Sequence, residues 1–275
     1  MAERESEKPI GMFDSGVGGL TVAREVMRNM PGEKIVYFGD TARVPYGNKS
    51  KEIILRYSRQ IVRFLQSQDV KAIVVACNTA SAFALEEIRH ELKIPMIGVV
   101  KPGARVACKA TRNNRIGVIG TNGTISSGLY TEFIREMNPR AQVVGKACPL
   151  FVPLVEENMW KDPVTKEMVR RYLTPLKEQN IDTLILGCTH YPLLRSVIRE
   201  VMGESVTLVN PAYETACSLK ELLAREGLTN EAAPETKKHP YRFFVSDAAE
   251  TFQKFANSIL PVDIENAQKI NIEEY

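Results

Sequence analysis

The chain has no closely spaced cysteine pair, no long apolar run, no block of like charge and only one tryptophan. Each absence removes a class of protein. Its five cysteines, Cys77, Cys108, Cys148, Cys188 and Cys217, form an odd set without the C-x-x-C spacing that a zinc site or a redox pair uses. The first ten residues, MAERESEKPI, are charged rather than apolar, and the apolar stretches run about six to eight residues against the ~20 of a membrane-spanning helix. These features predict a cytoplasmic protein in which disulfides are disfavoured. The net charge of +3 is spread over 275 residues, with one small cluster, KKH at 237–239 in the loop-like APETKKHPY. Nucleic acid and membrane surfaces are therefore not expected as partners.

What is present is an ordinary globular composition, 44% hydrophobic and 25% charged, in a length that suits two domains. Short β-rich runs alternate with longer helical patterns. PIGMFDSG (9–16), KIVYFGD (34–40), KAIVVACN (71–78), RIGVIGT (115–121), AQVVGKAC (141–148), DTLILGCT (182–189) and VTLVNP (206–211) read as strands. KEIILRYSRQIVRFLQSQ (51–68) places Ile54, Tyr57, Ile61, Phe64 and Leu65 on one helical face, and ISSGLYTEFIREM (125–137) has similar spacing. Alternation of this kind predicts an α/β fold with mainly parallel sheets.

The two halves resemble each other. QDVKAIVVACNT (68–79) aligns without a gap with QNIDTLILGCTH (179–190), IGMFDSGVG (10–18) with IGVIGTNGT (116–124), and VPYG from 44 with VPLV from 152. Three anchors in one order at nearly one offset predict two similar, pseudo-twofold-related α/β units. The carboxyl ends of their strands would then meet at one cleft, with Cys77 and Cys188 facing each other across it. Each cysteine ends a strand before a helical pattern, and a helix N-terminus favours thiolate and binds carboxylate. Two opposed acid/base groups suit the inversion of a carbon acid, one removing a proton from one face and the other supplying a proton to the opposite face.

Asp14 ends the first strand at the same cleft edge, Ser15 and the following glycines can present hydroxyl and N–H groups, and His190 lies two residues past Cys188. Taken alone, Asp14 reads equally well as a helix cap and His190 as a hydrogen-bonded first-turn residue. Thr121 and Thr124, in the second-half counterpart of the Asp14 loop, are candidate hydroxyl donors. The sequence GVGGLT (16–21) lacks the third glycine of a dinucleotide fingerprint, and no Gly-Lys-Ser/Thr follows, so nucleotide binding gains no support. Cys108, Cys148 and Cys217 are expected to be core residues.

The motifs FDSGVGGLTV, YFGDTARVPYG, VACNTASA, CPLFVPLVEE and LGCTHYPLL, in order across residues 10–212, resemble those of the cofactor-independent glutamate racemases of the aspartate/glutamate racemase superfamily. The resemblance implies two α/β domains, 1–101 plus 213–275 and 102–212, with the active site between them. It implies Cys77 and Cys188 as the acid/base pair, Cys77 for the D-enantiomer's proton and Cys188 for the L-enantiomer's, assisted by Asp14, Glu156 and His190. It places substrate glutamate against Asp14, Ser15, Tyr46, Gly47, Asn78, Thr79, Thr189 and His190, requires neither cofactor nor metal, and implies a product used in peptidoglycan. A departure lies in LVNPAYETA (208–216), where many relatives carry an aspartate followed by a serine or glycine. In its own context, LVEENMW reads as the start of a solvated helix, the commoner fate of paired glutamates, so a role for Glu156 rests on the resemblance; Tyr46-Gly47 reads as an ordinary turn after Pro45.

No lysine occupies a pocket motif, so a pyridoxal Schiff base is not suggested. An aspartate racemase with the same two cysteines, or a non-catalytic amino-acid-binding module, remains open from the pattern, as does a homodimer. The short segment before Ile10 leads us to expect activity without a cell-wall precursor as activator.

Overall fold

A computed structural model describes residues 4–231 and 241–275; the KKH cluster lies outside the described residues. The seven expected strands form, and three further ones join them. In chain order the strands are β1 (Ile10–Asp14), β2 (Ile35–Gly39), β3 (Ala72–Val75), β4 (Met96–Gly98), β5 (Arg115–Gly120), β6 (Gln142–Ala147), β7 (Thr183–Gly187), β8 (Thr207–Val209), β9 (Tyr241–Val245) and β10 (Gln268–Lys269). All pairings between them are parallel, in two sheets ordered β10-β9-β2-β1-β3-β4 and β6-β5-β7-β8.

The repeat seen in the sequence is therefore a repeat of topology: β2-β1-β3-β4 has the same order as β6-β5-β7-β8. It extends to register. Ile10 pairs with Ala72 in one sheet and Ile116 with Thr183 in the other, as Ile73 pairs with Met96 and Leu184 with Leu208. The gapless alignment of the two cysteine motifs is thus also the spatial one.

Strands β1, β2, β3 and β7 are buried throughout because helices cover both faces of each sheet, which is why they read as continuous apolar runs rather than alternating ones. Alternation survives in which core each residue joins. Met12, Tyr37 and Val74 enter a core with the helices Leu20–Asn29, Pro211–Arg225 and Ala249–Ile259, while Phe13, Phe38, Val75 and Cys77 pack towards the helix Lys51–Ser67. In the second sheet Leu184, Leu186 and Cys188 share a core with Pro163–Lys177, and Ile116, Val118 and Ile185 one with Val100–Ala110.

Of the five residues expected on the inner face of Lys51–Ser67, Ile54, Ile61, Phe64 and Leu65 are buried and Tyr57 is half-buried. The pattern at 125–137 is broken at Gly128, whose φ of 71° ends one short helix, Asn122–Ser126, and starts another, Leu129–Met137. After β4 the chain enters the second sheet through Val100–Ala110, and after β8 it leaves through Pro211–Arg225; these two helices pack on each other. β9 then adds to the free edge of β2, with Ile35 opposite Tyr241. Among the described residues no helix is long and apolar enough to cross a membrane.

Candidate active site

The carboxyl ends of β1, β2, β3, β5 and β7 converge on a narrow cleft. Ser15, Tyr46, Gly47, Cys77, Asn78, Thr79, Thr121, Cys188, Thr189 and His190 line it. Asp14, Thr124 and Glu156 stand behind that lining and act on it through hydrogen bonds. Val44, Pro45 and Val152 also line the cleft. Sequence reasoning had matched the two VP pairs as repeat anchors without assigning them to the site.

Cys77 and Cys188 occupy equivalent places just past β3 and β7, 5% and 6% exposed. Their surroundings differ. Cys77 caps the short helix Asn78–Phe83 and its Sγ lies 3.7 Å from Ser15 Oγ. Burial, followed by the negative charge of Asp14, pushes its thiol up to about 12, against the opposing pull of the Ala80 N–H and the Ser15 hydroxyl. The expectation that a helix start would favour thiolate is corrected for Cys77: one backbone N–H cannot repay desolvation of the charged form.

Cys188 precedes a 3₁₀ turn, Tyr191–Leu194, rather than an α-helix. Its Sγ lies 3.8 Å from His190 Nδ1, and His190 Nε2 lies 3.0 Å from Glu156 Oε1. Burial opposes a charge on this imidazole, but hydrogen bonds to Cys188 and Glu156, and their negative charges, outweigh it and raise His190 to about 10. His190 is thus protonated at neutral pH and sits between the Cys188 sulfur and the Glu156 carboxyl. Glu156 ends the helix Phe151–Glu156 with its side chain 32% exposed.

Asp14 is fully buried at the end of β1. Burial raises its pKa; the His190 charge, the N–H groups of Gly19 and Gly16 and the Thr189 hydroxyl offset this. Gly16 N donates to Oδ2 at 2.9 Å and Thr189 Oγ1 to Oδ1 at 3.3 Å. The glycines after it are required by proximity: a Cβ at Gly18 would lie 2.3 Å from Thr189 Oγ1, and one at Gly19 2.4 Å from Asp14 Cβ.

Three threonines join the halves. Thr79 Oγ1 lies 2.9 Å from Thr121 Oγ1 and 3.4 Å from Thr124 Oγ1, while Thr121 caps its helix by accepting from Thr124 N at 3.2 Å. Asn78 Oδ1 accepts from Tyr130 Oη at 2.8 Å, a partner from the second half that no motif pointed to. Tyr46 follows the cis peptide Val44–Pro45, and its hydroxyl donates to Asp40 at 2.5 Å rather than facing the cleft. Asn210, in the departing LVNPAYETA segment, caps Pro211–Arg225 and lines a narrow crevice that also touches Asn78, Cys188 and Thr189. Of the three remaining cysteines Cys148 is buried, whereas Cys108 and Cys217 are half-buried at the core margin. Among the described residues no group of three or more His, Cys, Asp or Glu is placed to hold a metal ion.

Two thiols at equivalent strand ends, set in one cleft between two α/β units, form an arrangement able to exchange protons with a small polar ligand from two sides. Comparison places it further. Residues 20–217 match the Asp/Glu/hydantoin racemase family. A glutamate racemase of Geobacter metallireducens is 49% identical over 266 residues, covering 97% of each chain. A crystal structure of a glutamate racemase isoform from Bacillus anthracis superposes with a TM-score of 0.92 at 42% identity, over 96% of this chain and 98% of that one. The Francisella tularensis glutamate racemase in complex with D-glutamate gives 0.90 at 36% identity, over 98% and 100%. The chain belongs to the Asp/Glu/hydantoin racemase family and is an isomerase.

Proposed function

We propose that the chain interconverts L- and D-glutamate without a cofactor, using Cys77 and Cys188 on opposite faces of the α-carbon. The observation that carries this reading is the pair of thiols at register-equivalent strand ends lining one cleft. With L-glutamate, Cys188 as thiolate takes the α-proton and Cys77, a thiol at neutral pH, delivers its own proton to the opposite face. With D-glutamate the roles reverse. Each turnover leaves the two sulfurs with exchanged protonation, and solvent restores the starting form.

The α-carbanion is the high-energy species. Hydroxyls of Ser15, Thr79, Thr121 and Thr189 and the Asn78 amide are the groups available to hold the substrate carboxylates and the charge that develops on them. Tyr46 and Gly47 contribute ring and backbone. Protonated His190, held by Glu156, balances charge beside Cys188, whereas buried Asp14 disfavours the thiolate at Cys77 and keeps that sulfur a proton donor.

Aspartate would satisfy the same chemistry; glutamate is favoured because the relatives described above are glutamate racemases. The reading includes division of the chain into 1–101 plus 213–275 and 102–212, supported by the return of β9 and β10 to the first sheet. It also includes a cytoplasmic location and supply of D-glutamate to peptidoglycan, and it leaves room for a homodimer, which sedimentation would decide.

The test is racemisation in D2O from either enantiomer without added cofactor. A thiol carries one proton, so newly formed product should contain deuterium at the α-carbon while remaining substrate stays largely undeuterated at early times. Cys77→Ala and Cys188→Ala should each lose racemisation by roughly 10²- to 10⁴-fold, the usual worth of a general acid/base group. Early product retaining the substrate's own α-hydrogen would mean a single base reaching both faces.

A further inference from the structure

A second buried carboxylate, Asp40, lies beside the cleft and has no part in the proton transfers. It directly follows β2 and is fully buried. Its Oδ2 accepts from Tyr46 Oη at 2.5 Å and lies 3.6 Å from Arg43 Nη1, and its Oδ1 accepts from Ser246 Oγ at 2.8 Å. Ser246, just past β9, also accepts from Ala42 N at 2.8 Å. Burial raises the Asp40 carboxyl, and the Tyr46 hydroxyl, Arg43 charge and Ser246 hydroxyl pull it back.

This network runs in two directions. Inward it ends on Tyr46, which with Val44, Pro45 and Gly47 forms one wall of the cleft. Outward it passes through Arg43, whose guanidinium donates to Glu273 Oε1 at 2.8 Å and Gln60 Oε1 at 2.9 Å. The same guanidinium lies 4.2 Å over the Tyr57 ring, which in turn is 5.8 Å from the Tyr46 ring. Glu273 belongs to the last turn, Ile272–Glu274, anchored by buried Ile272 and by the contact of Tyr275 with Phe64 at 5.3 Å.

We propose that Asp40 is a positioning residue for the substrate wall at 44–47, and that the C-terminal turn Ile272–Glu274 braces this wall through Glu273 and Arg43. Residues 40–45 belong to no strand or helix and Tyr46–Asn48 form a single 3₁₀ turn, so side-chain bonds hold in place what a ladder holds elsewhere in the sheet. The Tyr46 hydroxyl is the anchor of the wall, and its ring and neighbouring backbone are the surface offered to substrate. The proposal rests on the reading of the cleft as the glutamate site.

Steady-state racemisation by circular dichroism tests both and separates them. Turnover of glutamate by the parent chain tests the reading; the ratio of variant to parent KM tests the wall. Asp40→Asn and Tyr46→Phe should each raise KM about tenfold, as expected for loss of a hydrogen bond to a charged group, with kcat changed by less than about threefold. Glu273→Gln, on a residue 66% exposed, should keep the parent melting temperature and raise KM about two- to fivefold. Simple loss of folded enzyme lowers apparent kcat at constant KM and lowers the melting temperature. That pattern in Asp40→Asn, or a KM within twofold of the parent in Glu273→Gln, overturns the proposal; if Asp40→Asn does not fold, Glu273→Gln decides.

Discussion

Gly18→Ala is a one-carbon probe of how tightly the loop after β1 is fitted to His190. The new Cβ would lie 2.3 Å from Thr189 Oγ1, 2.5 Å from His190 Nδ1 and 2.6 Å from His190 Cε1. Ordinary carbon contacts are about 3.5–4.0 Å, so one side must move by roughly 1 Å. Neither side moves freely: Thr189 is held through its hydroxyl to Asp14 and its carbonyl to Thr21, and His190 by Glu156. Overpacking of this kind costs about 1–3 kcal/mol, and a displacement of roughly 1 Å in a reacting constellation costs on the order of 10²-fold in rate. We therefore expect kcat/KM to fall by about 10²-fold in Gly18→Ala, with a melting temperature lower by some 2–10 °C. Gly16→Ala is the internal control, since its Cβ meets the Val44 side chain at ordinary contact, 3.5 Å from Cγ2 and 3.9 Å from Cβ, and should stay within about threefold of the parent. Racemisation rates and thermal melts of the two variants suffice. A Gly18→Ala enzyme as active as Gly16→Ala would refute the geometry, and with it the view that the loop and His190 are set against each other.

Away from the cleft, Lys71 and Glu33 form a buried ion pair at the opposite ends of the strands, 2.5 Å apart and at most 3% exposed. Lys71→Met should cost about 3–5 kcal/mol in urea denaturation while leaving kcat/KM of the folded fraction unchanged, and Lys71→Met with Glu33→Leu should recover much of that loss; additive losses would count against the pair. The His190 pKa is raised from 6.5 to about 10 on folding, so the stability its charge contributes is complete below about pH 6.5 and is lost as pH rises through about 10. The urea midpoint of the parent should consequently fall more steeply over that range than that of His190→Gln, and parallel curves would contradict the assignment. Glutamate should protect Cys77 and Cys188 from thiol alkylation and thereby preserve activity, and full activity after both are alkylated would exclude them as acid and base.

The legible part of this protein was whatever depends on local pattern. Strands such as IVYFG and TLILG are apolar on both faces, and a parallel strand must be so when helices cover both sides of its sheet. The two cysteine motifs could be matched because duplicated strands keep equal spacing, and the register of β1 with β3 and of β5 with β7 repeats that match in space. Three strands were not read. β4 and β10 are three and two residues long, and β9 pairs with β2 and β10, strands distant from it in the chain or too short to read. The chemistry of the site was legible only as residue types. His190 and Glu156 are 34 positions apart, and Thr79 and Thr121 are 42 apart, so no spacing rule announces their contacts. Tyr46 reads from sequence as a turn residue or as part of the substrate site, and nothing local shows that Asp40 holds its hydroxyl. Cys77 and Cys188 hold equivalent places in two motifs of like polar and apolar pattern, yet one lies near a buried carboxylate and the other beside an imidazolium. Local sequence thus determined the strands, their repetition and the placing of a thiol at each equivalent end, because hydrophobic period and strand length act over a few residues. The protonation of those thiols and the positions of the groups around them were decided by tertiary structure, because desolvation and Coulomb interactions depend on distance in space and not along the chain.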